Sequence, residues 1–260
     1  MSDTTVIETL VKRDRLFTAV ALAIIAVLCW IYLAVLAADM GGMSNMAEMS
    51  AATAWTAAEF ALMFVMWAVM MVAMMLPSAA PMILLFAAIT RRNRAKGHVM
   101  APTGIFAAGY LLAWAGFSLA ATALQWGFDS LALLSPMMAS TSAVLSGAIL
   151  IAAGLYQWTP LKHACLAHCR SPLYFLGHHW RKGTGGAFVM GIHHGFYCVG
   201  CCWVLMALLF VGGVMNLLLI AAIALVILIE KVAPRGDVVG RVGGVVLTLL
   251  GLYLVFRPAV

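Results

Sequence analysis

Between Gly191 and Trp203 the chain reads G-I-H-H-G-F-Y-C-V-G-C-C-W, an uncharged apolar run carrying two adjacent histidines and three cysteines. On a helix, residues three and four apart share a face, so His194, Cys198 and either Cys201 or Cys202 form one stripe. Histidine at membrane depth is costly to bury, which makes such a stripe a candidate site. Imidazole and thiolate together suit soft or borderline ions such as copper(I) or zinc. The competing reading is plain packing. Cysteine behaves as a small hydrophobe, and Gly191-x-x-x-Gly195 fits a close helix contact. Two histidines and Cys-x-x-Cys-Cys on one turn-matched stripe favour metal or thiol chemistry.

A second cluster lies in P-L-K-H-A-C-L-A-H-C-R-S-P, from Pro160 to Pro172. Cys165 and Cys169 are four apart and share a helical face, with Lys162 three before Cys165 and Arg170 after Cys169. Positive charge beside a thiol favours the thiolate that a metal or a redox reaction needs. His163 and His168 are additional candidate ligands, whereas His178-His179, ahead of Arg181 and Lys182, read as a polar loop. The alternative for this pair is a reduced interfacial helix with inert thiols. Cys29 stands alone in an apolar run and reads as a core residue.

Methionine supplies a third kind of soft donor. Met40, Met43, Met46 and Met49 recur every three residues in a stretch without Lys or Arg, with Asp39 just before them and Glu48 among them. This is either an outer copper-capturing loop or a loosely ordered one. Further on, Met66, Met70 and Met74 share one helical face and Met71 and Met75 lie beside it. Pro77 and Pro81 are expected to break that helix and free backbone carbonyls. Ordinary packing competes here too, but doubled methionines beside a proline break suit a soft-metal path through Met71, Met74 and Met75.

These residues need a scaffold, and composition names it. Of 260 residues, 65% are apolar and 9% charged, far below the roughly 25% charged residues of soluble domains. The expectation is an all-α, polytopic membrane helix bundle forming a single integral membrane domain over 1–260. Seven spans are expected, at about 16–36, 58–76, 102–126, 140–158, 186–210, 214–229 and 242–256. That layout puts every Lys and Arg except Arg257 on the cytoplasmic side, with the N-terminus in and the C-terminus out. The net charge of +6 is therefore topological and not a nucleic-acid signal. No cleavable signal peptide is expected, because residues 1–15 are polar and the apolar run after them is long enough to span. Tyr156-Gln157-Trp158 reads as an interfacial aromatic belt, and Glu230-Lys231 as snorkelling charges at a helix end.

With both Cys/His clusters in view, the sequence resembles a bacterial family of predicted metal-binding integral membrane proteins that includes a copper chaperone for a tyrosinase. The matching stretches are M-M-L-P-S-A-A-P-M (Met74 to Met82), Pro160 to Pro172, and H-G-F-Y-C-V-G-C-C-W-V-L-M (His194 to Met206). A fourth is G-V-M-N (Gly213 to Asn216), leading to Glu230-Lys231. The resemblance implies copper handling in the bacterial inner membrane. It implies Cys165, Cys169, Cys198, Cys201 and Cys202 as metal-associated residues, with Lys162 and Glu230 as accompanying polar positions. The first helix and its methionine series lie outside the strongest match.

Three functions fit these residues. The first is a copper(I)-binding chaperone, not an enzyme, that holds the ion in the bilayer and passes it to a cuproenzyme. Its metal residues would be His194, Cys198, Cys201, Cys202, Cys165, Cys169, His168, Met71, Met74 and Met75. The second is a copper transporter, and the third a transmembrane thiol-disulfide oxidoreductase. Copper is favoured over zinc because zinc rarely takes thioether ligands. The sequence leaves open whether the two cysteine clusters make one site or two, and it does not set the oligomeric state.

Overall fold

The computed structural model describes residues 3–43, 55–135 and 138–256, and among them every regular element is a helix apart from one isolated bridge between Leu134 and Ser140. In chain order the helices are α1 (Asp3–Met43), α2 (Ala57–Arg94), α3 (Thr103–Ser130), α4 (Ala143–Tyr156) and α5 (Pro160–Arg170). They continue with α6 (Pro172–His179), α7 (Gly183–Ala207), α8 (Leu209–Gly212), α9 (Leu217–Val232) and α10 (Gly236–Phe256). Five are long and apolar enough to cross a membrane, on α1, α2, α3, α7–α8 and α10. A sixth span results if α4 and α5, bent by 63° at their junction, count as one. At 16 residues, α9 is shorter than these.

The helix boundaries have local causes. Thr56 and Glu59 close a reciprocal capping box on α2, with the Glu59 carboxylate accepting from the Thr56 amide at 2.6 Å. α2 then runs unbroken through Pro77 and Pro81, contrary to the break expected there. Inside a bundle, neighbouring groups take over the polar work near a proline. Here the nearby Met75 carbonyl accepts from Ser78 Oγ at 2.9 Å and from Tyr110 Oη at 3.3 Å. α1 likewise extends to Met43, into the stretch expected as a loop. Met46, Glu48 and Met49 lie outside the described residues, as does Arg257.

The core is built from α2, α3, α7 and α9, with α1 leaning on α2 and α10 on α4. α3 and α7 pack closely because glycine and alanine line the crossing: a Cβ on Gly109 of α3 would run into the Phe188 carbonyl, and Gly195 of α7 faces Ala113. A Cβ on Gly191 would run into the Phe106 carbonyl, and one on Gly195 would meet the Tyr110 carbonyl oxygen at 3.1 Å. The Gly191-x-x-x-Gly195 face is thus a helix contact as well as the start of the cysteine stripe. The opposite face of α7, with Phe196 and Trp203, is exposed.

Candidate metal centre

Cys198, Cys201 and Cys202 are each 1% exposed, facing inward from α7 as their spacing predicts. The Cys201 and Cys202 thiols donate back to the Cys198 carbonyl at 3.1 and 3.0 Å. Cys202 Sγ also reaches Met75 Sδ of α2 at 3.9 Å. Met71 and Met74 are buried in the same core.

The bend after α4 brings in the second cluster. Thr159 caps α5 by accepting from the Lys162 amide at 3.3 Å, and Pro160 follows in the first turn, where its missing N–H costs nothing. α5 consequently turns away from α4 and lies along α7. Cys169 then meets the Cys198 and Cys201 thiols. Of the α5 pair, it is thus Cys169 that approaches the α7 cysteines. Cys165, one turn earlier, packs its sulfur against Gly200, where a Cβ would come within 2.8 Å of it.

The charged groups are arranged differently from the expectation. Lys162 does not serve the thiols. It is 1% exposed, donates to Gln157 Oε1 and pairs with Glu230 Oε2 at 2.7 Å. Arg170 does not either, since its guanidinium donates to the Ala233 and Pro234 carbonyls at 2.9 and 2.8 Å, tying the end of α5 to the end of α9. The cation at the thiols is Lys231. Its Nζ lies 2.9 Å from Cys198 Sγ and 3.0 Å from Ser78 Oγ, within electrostatic range of Cys169, Cys201 and Cys202. Glu230 and Lys231 are 2% and 7% exposed, so these residues do not snorkel. A buried ammonium needs a counter-charge, and the charge-balanced form of this contact is ammonium with thiolate. Tyr110 Oη completes the surroundings at 3.1 Å from Cys198 Sγ.

The histidines stand apart from the sulfurs. His194 is buried among Phe106, Tyr110 and Phe175, one turn before Cys198, and its Nδ1 has no hydrogen-bond partner. The ring of His168 stacks on Tyr197 at 4.1 Å. His178 and His179 close α6 rather than forming a loop. Among the described residues, no three His, Cys, Asp or Glu side chains are already disposed around one metal position. Two of the thiols are turned to the Cys198 carbonyl, which accounts for this.

Sequence reasoning missed Lys231 and Tyr110 as neighbours of the Cys198 thiol, and Ser78 as the hydroxyl beside Lys231. The signal for Lys231 was its place in an apolar segment beside a carboxylate, a pattern that buried pairs and snorkelling pairs share. Nothing in the sequence marks Tyr110, and Ser78 stands out only as part of the Met74–Met82 stretch.

No match to the chain was found among curated proteins or among solved structures. A family model described as PpoB2, copper chaperone, matches residues 64–254, which include every sulfur and lysine of this centre. The chain belongs to the PpoB2 copper chaperone family.

Proposed function

We propose that the chain is a multi-pass protein of the bacterial cytoplasmic membrane that binds copper(I) on sulfur and hands it to a cuproenzyme. The observation that carries this reading is the approach of Cys169, Cys198, Cys201 and Cys202 to the Lys231 ammonium, with Met75 beside Cys202. In this reading the chain forms one integral membrane domain of seven crossings, α4 and α9 being short ones, with the N-terminus in the cytoplasm. The positive-inside distribution of Lys and Arg supports that orientation.

Charge balance fits copper(I), and the thioether beside the thiols favours it over zinc. Two thiolates around one copper(I) carry a net charge of −1, and the Lys231 ammonium makes the buried assembly neutral. Thioether ligation by Met75 also suits copper(I) and not zinc. Binding begins from the Cys198 thiolate. Cys169 or Cys202 supplies the second sulfur on rotating off its present partner, its proton passing to the ligand that the copper leaves behind, and Met71 and Met74 line the approach. Low-coordinate sulfur ligation lets an acceptor's ligand enter before the last donor leaves, so the ion is never free. His194, with its unpartnered nitrogen one turn from Cys198, is the nearest additional donor.

The test is copper content after anaerobic copper(I) loading, comparing wild type with Cys198→Ser/Cys201→Ser/Cys202→Ser. At least one copper per chain, lost in the triple variant, is expected. A metal-free wild type would remove the reading.

A further inference from the structure

Among the described residues the buried lysines and carboxylates are Lys162, Glu230 and Lys231, and only Lys231 serves the thiols. The Lys162–Glu230 ion pair, at 2.7 Å, lies where α5, α9, α10 and the end of α4 meet, and Gln157 Oε1 accepts from the same ammonium. α10 leaves room for it. A Cβ on Gly240 would stand 2.9 Å from Glu230 Oε1 and 3.6 Å from Gln157 Oε1.

As a source of stability the pair is poorly built. Taking two charges out of water is offset by their attraction only where the remaining polar atoms are satisfied, and packed apolar residues of similar volume often do as well or better. Glu230 Oε1 is buried without a hydrogen-bond partner. What a buried charged contact does better than an apolar one is fix the register of the elements it joins.

Register is what the sulfurs need. Lys162 and Cys169 are seven apart on α5, two helical turns, and so point within about 20° of one another. The direction in which the ammonium is held therefore sets the direction of Cys169. On α9, Glu230 precedes Lys231, so the carboxylate holds α5 while the next side chain reaches Cys198 Sγ at 2.9 Å. Arg170 repeats the tie about 12 Å further along α5, by donating to the Ala233 and Pro234 carbonyls. α5 itself is 11 residues long and bounded by Pro160 and Pro172, so no longer helix dictates its direction.

We propose that Lys162 and Glu230 are positioning residues, whose pair locks α5 to α9 in the register that brings Cys169 and Lys231 to Cys198 together. The placing of Cys169 stands on the geometry, whereas its consequence for copper rests on the reading above.

The experiment oxidises the full chain, copper-free in detergent, with diamide, which takes two electrons and two protons from a pair of thiols and leaves their sulfurs bonded. Cys169 is half-buried and within reach of the reagent. Peptide mass spectrometry reads the disulfide between Cys169 and the α7 cysteines. Wild type should form it. Lys162→Met/Glu230→Leu should keep the thermal midpoint and lose most of the link. Gly240→Ala, which keeps both charges and presses on Glu230 Oε1, should lower the link too, and it decides alone if the double variant does not fold. A folded double variant, or in its absence a Gly240→Ala chain, that links as well as wild type overturns the assignment, as does a wild type without the link. Copper(I) affinity of the same chains separates the two claims. A lost link with binding weakened about tenfold or more, as removal of supporting residues does at metal sites, agrees with both. A lost link with unchanged binding counts against the proposed function and leaves the positioning pair standing.

Discussion

Lys231 Nζ stands 2.9 Å from Cys198 Sγ, so the last turn of α9 delivers an ammonium to the middle of the cysteine stripe on α7. The contact is buried at both ends, and removing one partner of a buried charge pair typically costs about 3–5 kcal/mol. Lys231→Met should therefore lower the thermal midpoint of the detergent-solubilised chain. Combined with Cys198→Ala, its effect should be much smaller than the sum of the two single changes. Simple additivity of the two substitutions would show that ammonium and sulfur are not coupled.

The same substitution bears on metal selectivity. Without the ammonium, a two-thiolate copper(I) assembly keeps a net negative charge in an apolar site. Lys231→Met should weaken copper(I) binding at least tenfold in competition with a chromogenic chelator, and Lys231→Arg should retain most of it. Equal affinity in wild type and Lys231→Met would refute the charge-balance argument.

Cys165 and Cys169 occupy one helical face but different surroundings. Cys169 meets two thiols, whereas Cys165 lies against the backbone of Gly200. Cys169→Ser should reduce copper(I) affinity by an order of magnitude or more, and Cys165→Ser by less than threefold. The reverse ranking would mean that α5 presents its other turn to the metal.

Close contact between α3 and α7 holds Tyr110 against Cys198. A methyl group at Gly191 strikes the Phe106 carbonyl, so Gly191→Ala should destabilise by about 1–3 kcal/mol, as overpacking does. Gly104→Ala, on the same α3 with nothing within 4 Å of the new Cβ, is the control and should leave the thermal midpoint unchanged or slightly raised. A Gly191→Ala chain as stable as wild type would show that the helices separate without cost.

Much of the centre was legible in the sequence because helical periodicity alone aligns Cys198 with Cys202 and Cys165 with Cys169. The burial of Met66, Met70, Met71, Met74 and Met75 follows from the same rule. What periodicity does not contain is how one helix lies on another. The 63° turn at Thr159-Pro160 decides that Cys169 meets Cys198, and no residue pattern gives that angle. Lys162 and Lys231 exchanged expected roles for a related reason. Proximity in sequence put Lys162 near Cys165, but Glu230 draws its ammonium to the α4–α9 side and leaves the thiols to Lys231. The expected break at Pro77 is absent, since α2 carries both Pro77 and Pro81 inside one continuous helix, and the residue pattern alone does not tell a proline that ends an apolar helix from one that the helix accommodates.

The central claim is that thiols from α5 and α7 hold one copper(I) ion together. Copper K-edge X-ray absorption of the chain loaded anaerobically with one equivalent tests it directly, with Cys169→Ser measured beside wild type. A sulfur-only shell of low coordination number in wild type, altered in Cys169→Ser, is the predicted result. A shell of nitrogen or oxygen in wild type, or a sulfur shell that Cys169→Ser leaves untouched, would contradict it.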